Sequence, residues 1–183
     1  MKTKLLIAIV ALQAAWVVVT VAVQEIRLHQ GVVVLLETAP VDPRDLLRGD
    51  YVILNYKISS LPKTLFADGL GTNQPPEGTT VYVKLEKRSA FHEALEASLR
   101  PLASDEAHPV LRGKISGRQW WAANQATLRV DYGLERYYVP EGTGHPSGKL
   151  SVEAAVPSSG HAVIRQVFID GKPYAEVMKS QVR

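Results

Sequence analysis

Two carboxylates stand where this chain is equipped for acid–base or ligand chemistry. Asp50 follows Gly49 in "RGDYVILNY", and Glu141 lies between Pro140 and Gly142 in "VPEGTG" (139–144), ahead of Gly144. A carboxylate on a glycine-rich turn is placed to hold a cation, bind a hydroxyl or move a proton, and two of them in one cleft are the equipment of a hydrolase. The plainer role is local: Gly49 supplies an unusual backbone angle, Asp50 accepts backbone N–H bonds ahead of a strand, and Glu141 sits solvated in its turn. Spacing in sequence leaves open whether the two meet. Tyr51 and Tyr56 are five residues apart, an odd interval that sends them to opposite faces of a strand, so only one of the pair joins a one-sided core.

Other chemistries find less support. The chain has no cysteine, which excludes disulfides, thiolate metal sites and cysteine nucleophiles. His29, His92, His108, His145 and His161 are scattered without zinc-ligand spacing, so no metal or cofactor is expected. Gly69-Leu70-Gly71 lacks the third glycine and following helix of a dinucleotide site. Trp120-Trp121 beside Arg118 has the composition of a contact surface, although burial of one Trp in the core is the simpler account.

These residues have to be held by something, and the chain divides into two parts to do it. Leu5 to Val23, "LLIAIVALQAAWVVVTVAV", carries no charge, and as a helix its 19 residues cover about 28 Å, close to the hydrocarbon thickness of a bilayer. Residues 1–27 read as an N-terminal transmembrane anchor and 28–183 as an exported domain. Lys2 and Lys4 precede the span while Glu25, Arg27 and His29 follow it, which predicts a cytoplasmic N-terminus and a periplasmic domain on a bacterial inner membrane. A cleaved signal peptide is the rival reading, but it calls for a shorter apolar run and a small-x-small exit, and "TVAVQE" offers none. The formal charge of +3 gathers at the anchor's flanks, so the domain is close to neutral and nucleic acid is not an expected partner.

Beyond residue 27 short apolar runs alternate with Gly, Pro, Asn and Asp. Strand candidates are 31–38, 50–59, 80–87, 110–115, 126–132, 136–139, 149–156 and 161–170. In "TVYVKLEK" (80–87), Val81, Val83 and Leu85 share one face. Asp170-Gly171 signals a tight hairpin turn. "SAFHEALEASLRPL" (89–102) is ambiguous: its composition favours a helix, while period two would turn Glu93 inward beside Phe91, Leu95 and Ala97. Residues 67–79 and 141–148 read as loops. The expected fold is mainly β, an antiparallel barrel or sandwich preceded by one transmembrane α-helix.

"GDYVILNY" (49–56) matches every fixed position of the motif that names the GDYxxLxY family of membrane-anchored proteins: Gly49, Asp50, Tyr51, Leu54 and Tyr56. The lead-in "TAPVDPRDLLR" (38–48), "YGLERYYVPEGTG" (132–144) and "GHAVIRQVFIDGKPY" (160–174) also resemble the family, so the resemblance runs from the anchor nearly to the C-terminus. It implies a location and marks Tyr138, Pro140, Glu141, Gly142 and Gly144 with the motif as possible binding residues, without implying an activity. The stretch "PVDPRDLLRGDYVIL" followed by "VYVKLEKR" (81–88) also resembles type I signal peptidases, whose anchor is followed by a Ser-Met-x-Pro step and later by a lysine strand. The nucleophile's position is Pro40, which has no hydroxyl, so that resemblance comes without the Ser–Lys chemistry.

The expected function is a non-enzymatic binding or accessory module of the bacterial envelope that works with an integral membrane protein partner. A cell-envelope hydrolase using Asp50 and Glu141 is the alternative. A third is a peptidase-like protein with a displaced pair, Ser59 or Ser60 with Lys84.

Overall fold

The computed structural model describes residues 2–39, 51–66, 69–70, 75–117, 126–139 and 148–181. Helix α1 (Lys2–Gln30) is apolar on all sides, and thirteen of its large apolar side chains, from Leu5 to Ile26, are exposed, Leu12 at 72% and Trp16 at 70%. Each gains about 2 kcal/mol on leaving water, so a helix of this kind demands an apolar surrounding worth tens of kcal/mol. The window Thr3–Ile26 is long and apolar enough to cross a membrane, and none of it is buried by the rest of the chain. That exposure sets it apart from the core helix of a globular fold and leaves an anchor or a signal sequence. The helix runs past the expected span of 5–23 as far as Gln30, so no linker separates it from the first strand.

The β domain begins at once. Strand β1 (Val32–Glu37) is followed by β2 (Tyr51–Ile53), β3 (Ser60–Pro62), β4 (Thr80–Arg88), β5 (Phe91–Ser98), β6 (Val110–Ile115), β7 (Thr127–Asp131), β8 (Arg136–Tyr138), β9 (Leu150–Val156), β10 (Val163–Ile169) and β11 (Lys172–Pro173), and the chain closes on helix α2 (Tyr174–Gln181). Three antiparallel groups form: β1-β9-β10-β11, β2-β8 and β3-β7-β6-β4-β5. The five-stranded group curls until Phe66, just past β3, bridges Ala97 on β5 at the opposite edge. The result is a nearly closed, barrel-like antiparallel sheet, and its interior holds one core that includes Val34, Leu36, Leu54, Tyr56, Val81, Val83, Leu85, Leu111, Leu128 and Val152.

Alternation in sequence explains most of this. Val81, Val83 and Leu85 are fully buried while Tyr82, Lys84 and Glu86 are half-buried, as a one-sided strand requires. Asp170 and Gly171 both take positive φ, 48° and 80°, in the predicted β10–β11 turn. The ambiguous stretch 89–102 is a strand, and a β-bulge removes the buried glutamate that period two implied. Lys84 pairs with Glu96 but Leu85 pairs with Ala94, so Leu95 is the extra residue. Ala94 and Ala97 thereby face the core strand together, and Glu93 and Leu95 turn outward.

The candidate strand 50–59 is broken. β2 ends at Ile53, Tyr56 makes an isolated bridge to Thr38, and a 3-10 turn at Lys57–Ser59 tucks Ile58 and Ser59 inward before β3. Helix α2 was not expected; Tyr174 and Met178, one turn apart, bury against the core and fix it there.

Gly31 joins α1 to the barrel-like sheet. It is not among the glycines with positive φ, so what it supplies is space: a Cβ there would lie 2.8 Å from the Val156 nitrogen and 2.9 Å from the Ala155 carbonyl carbon. The end of α1 is packed against β9 through this close approach and runs near β10 as well. We expect Gly31→Val to lower the unfolding free energy of the full chain by about 1–3 kcal/mol, because backbone on both sides must move. Chemical denaturation in detergent checks this, and an unchanged midpoint would show that the helix end is free of β9.

Candidate functional site

The motif residues divide by the parity of their positions. Val52, Leu54 and Tyr56 point into the core, Leu54 and Tyr56 each at 1% exposure, while Tyr51, Ile53 and Asn55 point out. Tyr56 is therefore the core member of the tyrosine pair and Tyr51 the outer one, as the odd spacing requires. The Tyr56 hydroxyl donates to the Leu134 carbonyl at 2.7 Å, and the buried Tyr132 hydroxyl donates back across the gap to the Ile58 carbonyl at 2.7 Å. Between them the Leu54 N–H donates to the Glu135 carbonyl at 2.8 Å. The Glu135 carboxylate meanwhile accepts the N–H groups of Tyr132 and Gly133, closing the turn from β7 into β8. Burial, with the nearby Glu135 charge adding to it, pushes both phenols far above the usual tyrosine range and keeps them as neutral donors.

This clasp lays β2 against β8 in one register, Tyr51 opposite Tyr138, Val52 opposite Tyr137 and Ile53 opposite Arg136. Tyr51, Ile53, Arg136 and Tyr138 then share one face. The Tyr51 and Tyr138 ring centroids are 5.9 Å apart at 59°, and the Arg136 guanidinium carbon lies 5.4 Å from the Tyr51 ring centroid. Tyr138 is 71% exposed, among the most exposed large apolar side chains of the β domain. On the opposite face Tyr137 meets Tyr174 of α2 edge-on, with centroids 5.6 Å apart, which braces the pair from behind.

The patch stands away from α1. β1 runs outward from Gly31, and at its far end Thr38 bridges Tyr56 while the Ala39 N–H donates to the Asn55 carbonyl. That pairing is antiparallel, so from Tyr56 back to Tyr51 the chain continues outward, beginning about 20 Å beyond Gly31.

Gly49, Asp50, Pro140, Glu141, Gly142 and Gly144 lie outside the described residues, as do Arg118, Trp120 and Trp121. Their attachment points are described: Asp50 is bonded to Tyr51 and Pro140 follows Val139, and the β2–β8 register sets those two chain ends side by side. Sequence reasoning passed over Arg136, although "ERYYV" does place a cation two residues from an exposed tyrosine.

The alternative serine–lysine pair fares worse. Lys84 lies on the outer side of β4 opposite Glu96, between the inward Val83 and Leu85, whereas Ser59 is buried and the exposed Ser60 stands on β3, separated from β4 by β7 and β6. Among the described residues no three His, Asp or Glu side chains gather as a metal site.

Tyr56→Phe and Tyr132→Phe should each cost about 1–3 kcal/mol, since each strands a buried carbonyl, and denaturant midpoints will read it. The His92 Nδ1 accepts the Leu35 N–H at 3.1 Å and so ties β5 to β1. Burial pushes this imidazole below the usual histidine range, against a weaker pull from the Leu35 backbone and with help from Lys87. Above about pH 6.5 the ring is neutral folded or unfolded and the tie is intact; below it the unfolded chain takes up the proton first, so stability falls as pH falls. His92→Gln should flatten the loss between about pH 7 and 5 in paired denaturation curves.

The model of a family described as "GDYXXLXY protein" matches residues 13–167, more than half of the chain. No curated protein and no solved structure matches it.

Proposed function

The chain belongs to the GDYXXLXY family, and from that premise we propose that it is a membrane-anchored binding module. Its recognition surface is the outward end of the β2–β8 pair. α1 is the anchor, Lys2 and Lys4 mark its cytoplasmic end, and the β domain is exported and periplasmic. The anchor confines a weakly binding domain to two dimensions and raises its effective concentration near other membrane components.

The observation that carries this reading is the Tyr51–Tyr138 register. It joins the two motif segments at one place and leaves there an exposed tyrosine, a second tyrosine and an arginine, the residue types that dominate binding energy at interfaces. Leu54 and Tyr56 serve the site from inside by holding the pair in place. Gly49, Asp50, Pro140, Glu141, Gly142 and Gly144 belong to the candidate site by sequence: Asp50 is joined to Tyr51, and Pro140 to Val139.

The same convergence favours the hydrolase reading over the serine–lysine one, because it ties Asp50 and Glu141 to adjacent chain ends. One experiment separates binding from hydrolysis. The full chain in membranes is offered glycan and peptide libraries, with Asp50→Asn, Glu141→Gln, and the pair Arg136→Ala and Tyr138→Ala alongside. A binding module retains ligand without turning it over, and the Arg136 and Tyr138 double variant loses at least about tenfold in affinity with little change in stability. Turnover by the wild type that either carboxylate variant abolishes, with folding intact, would replace binding by hydrolysis.

A further inference from the structure

Near the anchor, on a different side from the tyrosine patch, the β4–β5 hairpin leans over the outer face of β1, β9 and β10. Between them lies an open groove of about 330 Å³. Val33, Leu35 and Phe168 give it an apolar floor, with Ser151 and Glu153 among them, and Lys87 and His92 stand on its hairpin wall. The groove follows β1. Val33 is at its α1 end, Phe168 is level with Glu37, since both register with Ser151, and Gly171 of the β10–β11 turn lies beyond, so the groove extends at least about 13 Å along the strand direction.

We propose that this groove binds an extended juxtamembrane segment of an integral membrane partner, one that alternates apolar side chains and carries a carboxylate. The inference rests on the reading of α1 as a retained anchor. Three observations support it. The first is place: with no linker between α1 and β1, and Val33 two residues past Gly31, this lining residue of the groove lies within about 16 Å of the end of the apolar window at Ile26. A segment leaving the bilayer beside α1 meets it directly.

The second is charge. Glu153 is already paired with Arg165, its Oε1 3.6 Å from Nη1, and Arg88 is paired with Glu86 and Glu93. Lys87 has no ion pair among the described residues and stands exposed opposite His92 at the groove's wall, which leaves a cation for an incoming carboxylate. The third is the form of the floor. β1 is the outer strand of its group, Val33 is 43% exposed on it, and its Leu35 N–H is held by an imidazole where a neighbouring strand would supply a carbonyl. An apolar, exposed outer strand is a surface that proteins ordinarily cover, and a short extended segment fits this volume where a folded domain does not.

The test places a photo-crosslinking amino acid at Val33 or Ala90 in the groove, at Tyr138 on the tyrosine patch, and at the exposed Leu95 of the bulge as a control. The protein is the full chain in native membranes, and adducts are mapped by mass spectrometry. The proposal expects Val33 and Ala90 to join one integral membrane protein within about ten residues of the end of a transmembrane helix, and Leu95 not to. It also expects Lys87→Glu, at a solvent-exposed position, to cut that yield about fivefold while the denaturation midpoint holds. Groove adducts to lipid, to a soluble protein or to a second copy of this chain would overturn it, as would yields no higher than at Leu95 or indifferent to Lys87→Glu. Capture at Tyr138 alone would leave the binding-module reading standing and reject the groove. Recovery of a chain lacking its N-terminal helix would instead remove the retained anchor on which the inference depends.

Discussion

Two buried tyrosine hydroxyls aimed at two backbone carbonyls hold the outer end of this molecule together. Tyr56 reaches across to residue 134 and Tyr132 reaches back to residue 58, so the segments 54–58 and 132–135 are tied in both directions. A buried carbonyl without a donor costs as much as a lost hydrogen bond, so each tyrosine makes the other's position more favourable. Everything outward of this clasp takes its register from it. β2 and β8 are three residues each, too short to form a stable pair alone. They hold together because the clasp is at one end and the Tyr137–Tyr174 contact is behind.

That dependence explains why the motif has the spacing it has. Leu54 and Tyr56 sit two apart and turn inward together, and Tyr51, an odd number of residues from both, turns outward to meet Tyr138 and Arg136. The fixed positions thus combine a structural half and a surface half. A substitution at Tyr56 acts on the surface through the fold, whereas one at Tyr138 acts on it directly.

Much of this was legible in the sequence, and the failures have physical causes. Strict alternation placed Val81, Val83 and Leu85 correctly, and the odd interval between Tyr51 and Tyr56 gave their opposite bearings. The stretch 89–102 was undecidable by period because neither template fits it; the bulge at Leu95 breaks the alternation, and a bulge is a choice made by the partner strand β4. The interruption of 50–59 by a 3-10 turn and the helix at 174–181 were likewise set by tertiary contacts, Ile58 and Ser59 turning inward and Tyr174 and Met178 docking on the barrel. Asp50 and Glu141 were visible as chemistry, but what relates their segments is a pairing between residues 87 positions apart. Arg136 and the groove at Lys87 and His92 had no local signal strong enough to mark them, because each becomes notable only through a neighbour on another strand.

The clasp brings the two motif segments to one end of the sheet, and this cysteine-free chain allows a direct check. Leu54 and Glu135 form a hydrogen-bonded pair, so Tyr51 and Tyr138, three residues out, form a non-hydrogen-bonded one, the arrangement in which side chains come closest. A Tyr51→Cys, Tyr138→Cys double variant should oxidise under mild conditions to a single intramolecular disulfide, and adding Tyr56→Phe and Tyr132→Phe should slow its formation. Free thiols or only intermolecular dimers in the folded double variant would contradict the account.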